Sequence, residues 1–166
     1  KIIEGGADFV IINYDGVEIV RDVIADGGFD CIIVDEATHY KNVQTKRWKT
    51  LSLLVKPDTW LWMMTGTPAA QSPVDAYGLA KLVNPKAVPK FFGSFRDQVM
   101  FKLTQFKWVP KDNATDTVFK ALQPAIRFTK EECLDLPPMV YVKRAVELTA
   151  QQKKYYKILK EQMIMR

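Results

Sequence analysis

The sequence has little of several things, and each scarcity removes a class of protein. Two cysteines in 166 residues, Cys31 in an apolar run and Cys133 in a charged segment, build no disulfide framework, and no second pair stands at metal-ligand spacing. Both are read as reduced thiols. A single histidine, His39, has no Cys or His at ligand spacing and is read as a surface or supporting residue rather than a metal ligand. No apolar run approaches the roughly 18 to 20 residues that span a bilayer, and the first residues lack the charged-then-apolar pattern of a signal peptide. The expectation is a soluble intracellular protein with no membrane partner. Internal repeats and low-complexity tracts are also missing.

The composition is 48% hydrophobic, sufficient for a core in one ordinary domain. Lys and Arg number 24 against 19 Asp and Glu, a net charge of +5 that permits a polyanionic partner without requiring one. Lys1 begins in an ordinary polar and apolar mixture and "LKEQMIMR" ends without a cap, so the chain reads as a piece of something longer.

Short β-branched runs alternate with helical periodicity. "DFVIIN" (Asp8 to Asn13), "CIIV" within "DCIIVDEATHYKN" (Asp30 to Asn42) and "TWLWMMTGTP" (Thr59 to Pro68) read as buried strands. Val17, Val20 and Ile24 share a helical spacing that stops at Gly27 and Gly28, and Trp48, Leu51 and Val55 share another that closes at Pro57. Strand, helix, strand in succession makes the class α/β with a parallel sheet. Beyond Pro68 the pattern turns helical: "SPVDAYGLAKLVNP", with Ser72 as N-cap and Pro73 at the first helical position, then "GSFRDQVMFKLTQF" and "ATDTVFKALQPAI". "LDLPP" (Leu134 to Pro138) reads as a linker, "MVYVKRAVEL" from Met139 as a half-exposed strand, and Thr149 as the cap of a last helix.

The second apolar run delivers Asp35 and Glu36 to its carboxyl end, the edge where open α/β sheets bind ligands. Adjacent acids there suit nucleotide hydrolysis, one holding Mg²⁺ and the other orienting or deprotonating the attacking water. Two solvated acids at a strand end explain "IIVDE" equally well when it is taken alone.

"IIVDEATHYKN" resembles motif II of Swi/Snf-type superfamily-two helicase-like ATPases, written DEAHxxKN, and "MMTGTP" resembles their motif III, written LTGTP. "VIINYD" (Val10 to Asp15) is similar to the strand-plus-Tyr segment ahead of motif II, "DAYGLAKLVNP" to the helix after motif III, and "IRFTKEECLDLPPMV" and "VELTAQQKKYY" to the passage toward a second lobe. The resemblance implies a partial RecA-like parallel sheet flanked by helices in 1–90, a helical extension in 91–133, and a linker with the start of a second lobe in 134–166. It implies ATP and Mg²⁺ as cofactors, with Asp35 coordinating Mg²⁺ through water, Glu36 as catalytic base, and Thr65, Gly66 and Thr67 coupling nucleotide state to lobe movement. Its implied partners are duplex DNA and a second RecA-like lobe of the same chain. Lys41 and Asn42 are candidates for contact with motif III or nucleic acid. Arg47, in a basic cluster with Lys46 and Lys49, is a candidate for phosphate contact, as are Lys143 and Arg144.

The sequence departs from the pattern in three places. Thr38 stands where the family has His, "AAQSP" leaves Gln71 without an assigned role, and no G-x-x-x-x-G-K-[ST] phosphate loop occurs. The segment alone is therefore expected not to hydrolyse ATP. The implied function is a share in a DNA-dependent ATPase that translocates on duplex DNA. The alternatives are a strand-separating helicase of the same superfamily and a degenerate lobe used as an interaction module. Of four tryptophans, Trp48, Trp60 and Trp62 are expected in the core, with Trp108 left open as a stacking platform.

Overall fold

The computed structural model describes residues 7–133, 135 and 140–164. They fall into two compact units, divided between Ile126 and Arg127. In the first unit, α1 (Tyr14–Ile19) and α2 (Arg21–Asp26) precede β1 (Cys31–Val34), a 3-10 turn (Ala37–Tyr40), α3 (Lys46–Leu54) and β2 (Trp60–Met63). A second 3-10 turn (Pro73–Asp75) leads into α4 (Ala76–Val83), followed by α5 (Phe92–Val99), β3 (Met100–Lys102), β4 (Trp108–Pro110) and α6 (Ala114–Ala121).

The class is α/β. β1 and β2 pair in parallel with Cys31 opposite Trp60 and Val34 opposite Met63, the crossover between them running through α3. Because strand side chains alternate between faces, Ile32, Val34, Leu61 and Met63 share one face and pack with Leu51 of α3 and Leu79 of α4. The other face is open. Trp60 is 70% and Trp62 59% exposed, which corrects the expectation that both lie in the core and that the strands are buried on both faces. Trp48, expected in the core, is half-buried and packs against it, its indole Nε1 donating to the Gly78 carbonyl at 2.8 Å.

α3 is capped at Thr45, whose Oγ1 accepts the Trp48 N–H at 3.2 Å. The cap itself is built by Asn42: its side chain accepts the Gln44 N–H and its carbonyl accepts the Thr45 hydroxyl, each at 2.9 Å. α1 is capped by Asn13, which accepts the Gly16 N–H at 2.7 Å. The helix expected through Val17, Val20 and Ile24 is interrupted at Val20, with φ −104° and ψ 15°, and becomes two short helices.

Further expectations are corrected. Residues 8–13 form no strand, and Ile11 is 99% exposed, because no ladder partner for them exists among the described residues. The helix read through "GSFRDQVMFKLTQF" ends at Val99, and the chain turns into an antiparallel hairpin, Met100 opposite Pro110 and Lys102 opposite Trp108. Trp108, left open as a stacking platform, has the Arg96 guanidinium 3.9 Å from its ring centroid. Ser72 does precede Pro73 at the first position of a turn, but that turn is 3-10, and the Ser72 hydroxyl makes no cap bond.

α4 joins the two cores of this unit. Leu79 enters the cluster under the parallel strands, while Ala76, Tyr77 and Ala80 enter the cluster of Phe95, Val99, Ala114 and Val118. The Tyr77 hydroxyl crosses to the carbonyls of Pro89 and Lys90 at 3.1 and 2.8 Å.

In the second unit, α7 (Lys130–Cys133) and α8 (Ala150–Ile164) each begin with a capping box. Glu132 accepts the Thr129 N–H at 2.7 Å, which holds its carboxyl below the usual range, and Thr149 exchanges bonds with Gln152 at 3.0 and 3.3 Å. Residues 140–149 form no strand, contrary to the alternation read from Met139, a residue outside the described set. The "LDLPP" linker also lies outside it, apart from Asp135.

Candidate functional site

The parallel pair fixes the geometry of its carboxyl edge. Met64 N–H donates to the Val34 carbonyl and Ala37 N–H to the Met64 carbonyl, both at 2.8 Å, so the ladder continues past both strands. Between these bonds lie Asp35 and Glu36. Glu36 has φ 46° and ψ 56°, a left-handed backbone that disfavours a residue with a Cβ. Such backbones persist where the surroundings enforce them and concentrate at functional sites.

The turn separates the two acids in direction and in partners. Asp35 Oδ1 accepts the Glu36 N–H at 2.9 Å. Glu36 Oε1 accepts two hydroxyls, Thr38 at 3.0 Å and Thr65 at 3.4 Å. The Thr65 hydroxyl in turn accepts the Thr67 N–H at 3.2 Å. Glu36 thus links the loop after β1 to the turn after β2 directly, with Thr38 serving the position where the resembling sequences carry His. The Thr67 hydroxyl makes no hydrogen bond among the described residues, and a Cβ placed on Gly66 meets open space. The packing does not itself require glycine there.

A second link runs beneath the first. Lys41 Nζ donates to Gln71 Oε1 at 3.2 Å and pairs with Asp75 at 3.6 Å, and Asp75 accepts the Gln71 N–H. Gln71, unassigned from sequence, therefore bridges the motif II loop to the segment after motif III, and Lys41 contacts that segment. Arg47 pairs with Asp15 at 2.8 Å and lies 5.1 Å from the Tyr14 ring centroid, with His39 Nδ1 3.4 Å from the same guanidinium. Lys46 pairs with Glu18 at 3.6 Å. Arg47 and Lys46 are thus both engaged with acids of α1 and its first turn.

Helix α4 passes over this loop at closest approach. A Cβ on Gly78 would sit 2.3 Å from the carbonyl oxygens of both Tyr40 and Lys41, so only glycine fits there. Tyr14 was visible in sequence only as part of a resembling segment. Its hydroxyl donates to the Asp35 carbonyl, with the Glu36 carbonyl 3.3 Å away. Burial first, then the nearby charges of Asp35 and Glu36, raise the Tyr14 phenol above its ordinary range, against an opposing pull from Arg47.

Asp35 and Glu36 are exposed, and no group of three or more metal-ligating side chains occurs among the described residues. A cation here would meet at most two carboxylates and otherwise its own waters. That donor set suits Mg²⁺, which keeps several waters and takes one or two carboxylates plus phosphate oxygens.

Adjacent acids and a Thr-Gly-Thr turn meet at one edge of a parallel pair in an α/β segment, the arrangement that the resemblance implies. The chain belongs to the SNF2-related domain family, whose model matches residues 2–166. It is 35% identical over 81 residues, 49% of its length, to the SWI/SNF-related matrix-associated actin-dependent regulator of chromatin subfamily A-like protein 1 of Xenopus laevis, and covers 8% of that protein. It is 25% identical over 154 residues, 92% of its length, to the CHD3-type chromatin-remodeling factor PICKLE of Arabidopsis thaliana, covering 10% of it. The chain thus spans a tenth or less of these two relatives. No solved structure matches.

Proposed function

We propose that this chain is the carboxyl-terminal half of the first RecA-like lobe of a Swi/Snf-type, DNA-dependent ATPase, with the start of the connection to a second lobe. The intact protein couples ATP hydrolysis to translocation on duplex DNA inside the cell. One observation carries the reading: the Glu36 carboxylate accepts hydroxyls from both Thr38 and Thr65, joining the acid pair to the turn at the end of the neighbouring strand. Acids that were merely solvated would have no reason to hold a left-handed backbone and a cross-strand bond at once.

In this reading Asp35 would hold Mg²⁺, and Glu36 orients the attacking water and takes its proton at the carboxylate. When bound, Mg²⁺ and ATP supply the phosphoryl group and neutralise its charge. Thr65 senses the state of Glu36 through its hydroxyl, and Gly66 and Thr67 carry the change toward DNA. The open face of the sheet, with Trp60 and Trp62 exposed, supports further helices packing there, since parallel sheets are covered by helices on both faces.

The test is Glu36→Gln in the full-length protein. The amide keeps the shape and loses the base, so turnover should fall by a factor of about a hundred or more while nucleotide binding persists. Near-normal turnover would remove Glu36 from the role.

A further inference from the structure

Tyr14 takes no part in the function described so far, yet it holds the turn on which that function depends. It opens α1, 21 residues ahead of Asp35, and its hydroxyl reaches across to the Asp35 carbonyl with the Glu36 carbonyl at 3.3 Å. Those carbonyls flank the left-handed Glu36 backbone. The turn is fixed on its exit side by the Ala37 to Met64 bond, and Tyr14 is the matching restraint on its entry side.

The tyrosine is itself restrained. Its ring lies 4.7 Å from the His39 ring and 5.8 Å from the Tyr40 ring, and the Arg47 guanidinium stands over it, anchored by Asp15. The ring is therefore seated by packing, while the hydroxyl contacts only the two carbonyls, Asp35 and Glu36, among the described residues. Removing the hydroxyl leaves the packing in place and releases the turn.

We propose that Tyr14 is a positioning residue, whose hydroxyl holds the Asp35–Glu36 turn so that the Glu36 carboxylate stays aimed at Thr65 and at the attacking water. The proposal rests on the reading of Glu36 as the base. A misaimed base slows the chemical step without altering the contacts that bind nucleotide, so the signature lies in kcat and not in KM.

The experiment compares full-length wild type, Tyr14→Phe and Glu36→Gln by steady-state ATPase against ATP concentration with saturating duplex DNA, alongside thermal melting and affinity for a non-hydrolysable ATP analogue. Tyr14→Phe should lower kcat about tenfold while KM and analogue affinity stay within about twofold. Its melting midpoint should stay within about 3 °C, since one hydrogen bond is lost and the ring is kept. Unchanged kcat overturns the proposal, as does a loss of rate matched by a rise in KM or by a collapse of the melting transition. If Glu36→Gln abolishes turnover while Tyr14→Phe behaves as wild type, only the positioning role fails. If Glu36→Gln retains turnover, the base assignment fails and the role of Tyr14 falls with it.

Discussion

Glu36 receives one hydroxyl from its own loop and one from the end of the next strand, and these two bonds have different meanings. The Thr38 bond spans two residues and shapes the loop, whereas the Thr65 bond spans 29 residues and ties two elements together. Thr65 and Thr67 are also unequal: Thr65 uses its hydroxyl twice, while Thr67 contributes a backbone N–H. Thr65→Ala should therefore reproduce most of the effect of replacing both. Its stability cost should be about 1 kcal/mol, as for a partly exposed hydroxyl. ATP hydrolysis should persist at a reduced rate while stimulation by duplex DNA is lost, which an ATPase assay with and without DNA measures. Thr67→Ala should leave stimulation closer to wild type. Asp35, Glu36 and Thr65 were legible because each lies in a short contiguous pattern with a chemical logic. Tyr14 and Gln71 acquire their roles through contacts across 21 and 30 residues, and no local pattern records such a pairing.

At the scale of elements, β1, α3 and β2 were readable because periodicity and flanking breakers agreed. Residues 8–13 have the same β-branched character and form no strand, since strand preference measures fit to a neighbouring strand and face rather than an intrinsic backbone choice. The β3–β4 hairpin escaped because its turn, around Thr104 to Phe106, lacks the Asn-Gly or Gly-rich signal that marks most hairpins. The seat of α4 yields a prediction. Gly78→Ala drives a methyl into two backbone carbonyls that cannot rotate away, so it should destabilise the protein by about 1 to 3 kcal/mol, read as a lowered urea midpoint. A second prediction concerns alkali. Tyr14, Tyr40 and Tyr77 are all raised above the ordinary phenol range, with burial the largest cause in each. Above about pH 10 the unfolded chain gives up these protons first, so the folded chain binds more protons. Stability from this source is complete below that pH and declines as pH rises through the folded-state values. Melting midpoints measured between about pH 8 and 11 should fall together with the onset of tyrosinate absorbance, and Tyr77→Phe should flatten the curve.

For the whole molecule, the sheet has one face covered by α3 and α4 and one face carrying exposed Ile33, Trp60 and Trp62. The 166-residue segment should release no phosphate from ATP above background when purified alone, because it carries the acid pair without a phosphate loop. Phosphate release by the full-length protein, with and without duplex DNA, is the control, and turnover by the isolated segment would contradict the assignment. The class and the motifs were legible at this scale. The openness of the second face was not, since an uninterrupted apolar run looks the same in sequence whether one or both of its faces are covered.

The glycine at position 78 has a mechanical consequence. A contact with no room for a methyl group behaves as a bearing without clearance: the loop that carries the acids cannot slide beneath α4, and any displacement of it must push the helix bodily. Because α4 also supplies Ala76, Tyr77 and Ala80 to the core shared with α5 and α6, that push is delivered to a block of helices rather than dissipated in side chains. Any displacement at the strand edge would thus be passed through α4 to the helices packed against it.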